Sequence, residues 1–146
     1  MPQKSVLVIH GPNLNMLGVR DPATYGTSTV DDHVATVSRV LEPEGWQVSS
    51  FLSNSEGDIA GAVQGARGAF SAVIINAGAL THYSYALQDA LAVFEGVKIE
   101  VHISNPGARE GFRHTSVISP VVNGTVSGFG GLGYELAARA VLSLSA

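Results

Sequence analysis

The chain has 146 residues, 45% of them hydrophobic, a formal charge of −4 from 8 basic and 12 acidic side chains, and no cysteine. That length predicts a single domain over residues 1–146 with a substantial core, and the missing cysteine rules out disulfides, thiolate chemistry and cysteine-ligated zinc. No apolar run approaches a membrane span or a secretory leader and no basic run offers a nucleic-acid footprint, so the expectation is a cytoplasmic enzyme or binding protein that engages a small molecule, with no nucleic acid and no membrane as partner.

In chain order, the apolar run Ser5–Ile9 predicts a buried strand. A segment over about residues 11–28 follows, without helical or strand periodicity, yet it carries two amides, an arginine and a tyrosine between glycines and prolines. A loop that long at the end of a strand is more often functional than idle. Val30, Val34, Val37 and Leu41 then recur at helical spacing behind Ser28-Thr29 and the acidic Asp31-Asp32, until Glu42-Pro-Glu-Gly45 stops the helix. A strand is expected at Trp46–Leu52. The next helix, Asp58–Phe70, is weaker, because Gly61, Gly65 and Gly68 lower its propensity unless they serve close packing on a sheet. Strand Ala72–Asn76, helix Tyr83–Phe94, strand Val97–Ile103, strand Gly124–Gly128 and helix Leu132–Leu144 complete the chain. This alternation predicts a doubly wound, five-stranded parallel sheet with helices on both faces, a three-layer α/β fold.

In such a sheet every strand delivers its C-terminal end to one edge, which is where ligands bind. The polar residues follow that rule. Asn13, Arg20 and Tyr25 come after the first strand; Asn76, Thr81 and His82 come after the third; Glu100, His102, Ser104, Arg109 and Arg113 belong to the fourth and its continuation. Glu100 and His102 are two apart on a strand and share a face, so a carboxylate meets an imidazole, an arrangement suited to a general acid. The alternative is a histidine merely satisfied at a strand end. A tyrosine ordinarily titrates at about 10, so Tyr25 can act as a base only with cations beside it, for which Arg20 and Arg113 are the candidates; otherwise it is a loop aromatic. Asn13 and Asn76 could hold a carboxylate, a hydroxyl or a water, or simply cap their own loops. The amides near His82 and at Ile103-Ser104 could receive an anion. The five histidines show no metal-ligand spacing, and Gly128-Phe-Gly-Gly-Leu-Gly133 lies after the wrong strand for a dinucleotide loop.

The motifs together resemble those of the type II 3-dehydroquinate dehydratases over essentially the whole chain. They run Gly11-Pro-Asn-Leu-Asn15 with Leu17-Gly18, Arg20-Asp-Pro-x-x-Tyr25-Gly26, Ser53-Asn-Ser-Glu-Gly57 and Asn76-Ala-Gly-Ala-x-Thr81-His82. Asp89-Ala90, Glu100-Val-His-Ile-Ser-Asn105, Ala108-Arg-Glu-x-Phe-Arg113-His114 and Gly128-Phe-Gly130 with Gly133-Tyr134 continue them in family order. The resemblance implies a flavodoxin-like fold, a dodecamer built as a tetramer of trimers, and cofactor-free dehydration of 3-dehydroquinate to 3-dehydroshikimate in the shikimate or quinate pathway. By motif, it assigns Tyr25 to remove a C2 proton, giving an enolate, and His102 to protonate the departing C1 hydroxyl. Arg20 favours the phenolate, Asn13 orients a water on the enolate oxygen, and Glu100 supports His102. Asn76 and the Ile103-Ser104 amides hold substrate, His82 and Arg113 grip ring hydroxyls, and Asp89 reaches a neighbouring subunit's site.

Some positions depart from the family pattern. His10 replaces an Asn, Ser55 a His and Ala77 a Pro, while Leu80, Tyr83, Pro106-Gly107 and Gly111 alter two loops. None is a residue to which the resemblance assigns a chemical step. They bear on loop rigidity and substrate fit, which leaves a related hydro-lyase of another cyclic hydroxy acid, or a non-catalytic ligand-binding protein of the same fold, as the alternatives. With Lys4 and Lys98 the only lysines and both expected at the opposite sheet edge, a Schiff-base mechanism is not expected.

Overall fold

Continuous apolar runs become strands here because both faces of the sheet are covered. In the computed structural model, which describes residues 4–146, β1 (Ser5–His10), β2 (Gln47–Leu52), β3 (Ala72–Asn76), β4 (Val97–His102) and β5 (Gly124–Ser127) pair in parallel in the order β2-β1-β3-β4-β5. β1 and β3 are buried along their whole length, whereas the edge strand β2 keeps polar residues such as Gln47, Ser49 and Ser50 in solvent. Together with flanking helices this is the flavodoxin-like three-layer architecture.

Five helices accompany the strands among the described residues: the single turn α1 (Pro22–Tyr25), then α2 (Val30–Leu41), α3 (Glu56–Ala66), α4 (Tyr85–Val93) and α5 (Leu132–Ser145). Successive strand residues point to opposite faces, so two cores form. Val6, Val8, Ile74 and Val101 meet Val37 and Leu41 of α2 and Ala137 and Val141 of α5. On the other face Leu7, Ile9, Val73 and Ile75 meet Ile59 and Val63 of α3 and Leu87 and Leu91 of α4. Each such aliphatic side chain contributes about 1.5–3 kcal/mol of transfer free energy, which makes the sheet interior the rigid part of the molecule. None of the described helices is long and apolar enough to cross a membrane.

Helix boundaries follow local chemistry. Thr29 and Asp32 form a reciprocal capping box that starts α2, and Gly45, left-handed at φ 86°, ends the short turn after it. α3 departs from expectation at both ends. Ser55 accepts from the Asp58 N–H and starts the helix two residues early; it ends at Ala66, not Phe70, with Gly68 left-handed at φ 77°. Nor do its glycines serve packing on the sheet, since a side chain at Gly61 or Gly65 would meet only open space. Ser84 caps α4, so that helix begins at Tyr85.

Residues 11–28 are more ordered than their lack of periodicity suggests. A tight turn over Leu14–Met16 and then α1 fold the segment back, and Leu14, Leu17 and Tyr25 join the core on the α2/α5 side. One close approach fixes its exit. The Gly11 N–H donates to the Asn76 carbonyl at 2.8 Å, and a Cβ on Gly11 would lie 2.4 Å from the Ala77 carbonyl oxygen. At the return, Gly78 (φ 58°) sits so close to the Pro12 carbonyl that only glycine fits. The loops leaving β1 and β3 thus lock together at the point where strand order reverses, the crevice in which doubly wound sheets take ligands.

Candidate active site

At that crevice lies a cavity of about 160 Å³, enclosed by residues from four stretches of chain. Pro12 and Asn13 come from the exit of β1, Arg20 and Tyr25 from the folded segment after it, Asn76, Gly78 and His82 from the exit of β3, and His102, Ile103 and Ser104 from the end of β4. Arg109 and Arg113 close it from the following loop. Of the residues to which the family resemblance assigns a role, all but two line this one cavity.

Glu100 and Asp89 are the exceptions, for different reasons. Glu100 lies directly behind His102: its Oε2 accepts from His102 Nε2 at 2.6 Å, and it is wholly buried. Asp89 is exposed on α4 and lines a separate cavity with Arg67 and Val93, so within one chain it does not reach the other candidates.

Tyr25 is not a loop aromatic. It closes α1 with 9% of the residue exposed, and two guanidiniums sit near its ring, Arg20 Cζ at 4.3 Å and Arg109 Cζ at 5.2 Å from the centroid. This corrects the sequence expectation for the second cation. Arg113 instead donates to Glu110 at 3.0 Å and lies over the Phe112 ring. Short 3₁₀ turns at Pro106–Ala108 and Gly111–Arg113 rotate the two arginines apart. Arg109 also donates to the Ser104 hydroxyl at 3.1 Å, which fixes its direction.

Glu100 is held by more than the imidazole. Thr81 Oγ1 donates to Oε2 at 2.7 Å, Ser116 Oγ lies at 2.9 and 3.1 Å from the two carboxylate oxygens, and Thr125 Oγ1 donates to Oε1 at 3.3 Å. Burial pushes this carboxyl toward the neutral form, but the His102 ring and the Thr81 and Ser116 hydroxyls outweigh burial and hold it below the usual carboxylate range. Since His102 Nε2 faces Glu100, Nδ1 is the ring nitrogen left for other work.

Both ends of the Asn76 amide are held by the protein itself. Its Oδ1 accepts from the Gly78 N–H at 3.1 Å and caps its own loop, while Nδ2 donates to the Tyr134 hydroxyl at 3.2 Å. Burial pushes the Tyr134 phenol up to about 12, with the Asn76 bond acting against it. Asn13 is left-handed (φ 71°), and its N–H donates to Asn54 Oδ1 at 2.8 Å. His82 Nδ1 pairs with the Thr115 carbonyl at 2.8 Å. Arg109 as the second cation, the Ser116 and Thr125 hydroxyls and the Tyr134 anchor were missed from sequence, since no spacing signal distinguishes a hydroxyl that turns inward from one that faces water.

Behind Asn76, His10 is fully buried, and both its ring nitrogens, like His33 Nε2, lack a hydrogen-bond partner among the described residues. Burial, with a smaller contribution from His33, pushes His10 down to about 4. His33 stacks on Tyr134 with centroids 4.6 Å apart and 11° between planes. At the far edge of the sheet Lys98 donates to the Leu91 carbonyl at 2.8 Å, well away from the cavity.

The chain matches the Dehydroquinase class II family over residues 4–142. It is 48% identical over 139 residues to a 3-dehydroquinate dehydratase of Halalkalibacterium halodurans, covering 95% of this chain and 96% of that protein. Identity to the 3-dehydroquinate dehydratase of Bacillus subtilis is 44% over 137 residues, covering 94% and 93%. Among solved structures, a type II dehydroquinase from Propionibacterium acnes superposes with a TM-score of 0.90 at 43% identity, over 96% of this chain and 97% of that one. One from Butyrivibrio crossotus superposes with a TM-score of 0.91 at 43% identity, over 96% and 98%.

Proposed function

The chain belongs to the class II dehydroquinase family, and we propose that it dehydrates 3-dehydroquinate to 3-dehydroshikimate without a cofactor. Tyr25, as phenolate, takes a proton from C2, the carbon beside the ketone, and the electrons move onto the ketone oxygen as an enolate. Arg20 and Arg109 face the Tyr25 ring and favour its anionic form. A water oriented by Asn13 stabilises the enolate oxygen. His102 then donates a proton from Nδ1 to the C1 hydroxyl, which leaves as water while the enolate collapses to the enone. Glu100 steadies the imidazolium that makes this donation. Asn76 and the Ile103 and Ser104 amides hold the substrate, and His82 with Arg113 grips its hydroxyls. The α1 segment excludes bulk solvent while the enolate exists.

The observation that carries this reading is the convergence on one cavity of a tyrosine faced by two guanidiniums and a histidine backed by a buried carboxylate. That pairing supplies a base and an acid to one small molecule. We further propose a closed homo-oligomer, a dodecamer arranged as a tetramer of trimers, in which the exposed Asp89 meets a neighbour's cavity.

The deciding experiment is incubation of purified protein with 3-dehydroquinate while following enone absorbance in the ultraviolet. Appearance of the enone, unaffected by chelators and without borohydride-trapped adduct on Lys98, is the expected result. No absorbance change, or a rate that depends on added metal, overturns the reading.

A further inference from the structure

A buried carboxylate beside an imidazole has two ways to share a proton. It can remain an anion against an imidazolium, or it can take the proton and leave a neutral ring. Both forms carry a hydrogen on Nδ1, but they are very different acids. An imidazolium gives up that hydrogen readily near neutral pH, whereas a neutral imidazole holds it too tightly to donate. The choice between the two forms therefore decides whether His102 can do its work.

We propose that Ser116 and Thr125 are positioning residues that act through Glu100, their hydroxyls clamping its carboxylate as an anion so that His102 is presented as imidazolium. This rests on the reading of His102 as the proton donor. The geometry favours a clamp rather than incidental packing. Ser116 Oγ lies within 3.1 Å of both carboxylate oxygens while it accepts from the Ser119 N–H at 3.0 Å, so its own hydrogen is free to point at Glu100. Thr125 Oγ1, from the neighbouring strand β5, reaches Oε1 at 3.3 Å, the oxygen that His102 does not use. Thr81 donates to the other oxygen, Oε2, at 2.7 Å. Thr125 Oγ1 also meets Ser119 Oγ at 3.5 Å, so Ser119 can donate to it while its own hydrogen turns to the carboxylate, and hydrogen bonds to charge are the strong ones.

The other charged groups nearby do not supply this effect. His82 and His114 line a polar cavity of about 190 Å³ beside the pair, but each ring already pairs one nitrogen with a backbone carbonyl, of Thr115 and Arg109 respectively, and neither bonds Glu100. Arg113 lines the same cavity and is paired with Glu110. Arg20, Tyr25 and Arg109 line the substrate cavity on the other side of His102.

The test uses Ser116→Ala, the isosteric Thr125→Val, and the double variant, with Ser116→Thr as the conservative control. Loss of each donor destabilises the carboxylate and shifts the shared proton toward it. Ser116→Ala should lower kcat about tenfold with KM within about twofold, and the double variant should lower it further. The alkaline limb of the pH–rate profile should move upward, because the proton leaves a carboxyl-bearing pair less readily, and Ser116→Thr should restore both. Independently of turnover, ¹⁵N-histidine spectra assigned with His102→Gln should show both His102 nitrogens protonated near neutral pH, with Nε2 losing that character in the double variant. A double variant with unchanged kcat, pH profile and ring spectrum overturns the clamp, as does an unprotonated Nε2 in the parent protein. If the parent fails to turn over 3-dehydroquinate but the spectra behave as expected, the clamp stands and the reading of the reaction falls.

Discussion

Tyr25 has its ring in the core beside Leu14 and Leu17 while its face meets two guanidiniums. Tyr25→Phe preserves both contacts and removes only the hydroxyl, so thermal stability should hold while turnover falls by about 10²-fold or more. Retention of near-parental turnover would remove Tyr25 as the base. The two arginines of the following loop should separate in kinetics. Arg109→Ala withdraws one of the two cations near the Tyr25 ring and should cost about 1–2 kcal/mol in the chemical step, roughly a tenfold drop in kcat. Arg113→Ala removes a group expected to grip substrate and should act chiefly on KM. Steady-state kinetics on both variants decide this, and the reverse pattern would restore Arg113 as the partner of Tyr25.

At the scale of elements, the crossing of the loops after β1 and β3 is the least forgiving place in the fold. Gly11→Ala sets a methyl group 2.4 Å from the Ala77 carbonyl oxygen, which must push the loops apart. The expected outcome is about 1–3 kcal/mol of lost stability in chemical denaturation, together with reduced turnover, because Asn76 moves with that carbonyl. Sequence legibility follows the same physics. β3 was read to the residue, since a strand buried on both faces is an uninterrupted apolar run with sharp ends. α2 was read to its last residue because its stripe and its Thr29 start agree. α3 was displaced because its glycines erase the stripe that marks a helix end, and α1 was invisible because one turn has no period to detect. The candidate site was legible as a set of residues sharing one sheet edge. Which arginine would approach Tyr25 was not, for that depends on 3₁₀ turns only three residues long.

For the whole molecule, acid should act through the buried histidine behind the cavity. His10 titrates at about 4 when folded and near 6.5 when exposed, so between those values the unfolded chain binds a proton that the folded chain refuses. Its contribution to stability is complete above about pH 7 and is lost as pH falls from about 6.5 to about 4, by roughly 3 kcal/mol. Denaturation at pH 7.5 and pH 4.5 should show a smaller acid loss for His10→Asn than for the parent; equal losses would place the sensitivity elsewhere. Light scattering at low micromolar concentration should give a mass near twelve subunits, and a monomer would withdraw Asp89 from the site. The Asn76–Tyr134 bond has one more consequence, in time rather than space. A ribosome releases β1 to β4 long before Tyr134, 58 residues beyond Asn76, so a nascent chain carries Asn76 without its anchor. The surface that Ala137 and Val141 will cover is bare until then. Chains stalled before Leu132 should be rapidly cut by protease and bind no substrate, and the protein becomes competent only as its final helix emerges.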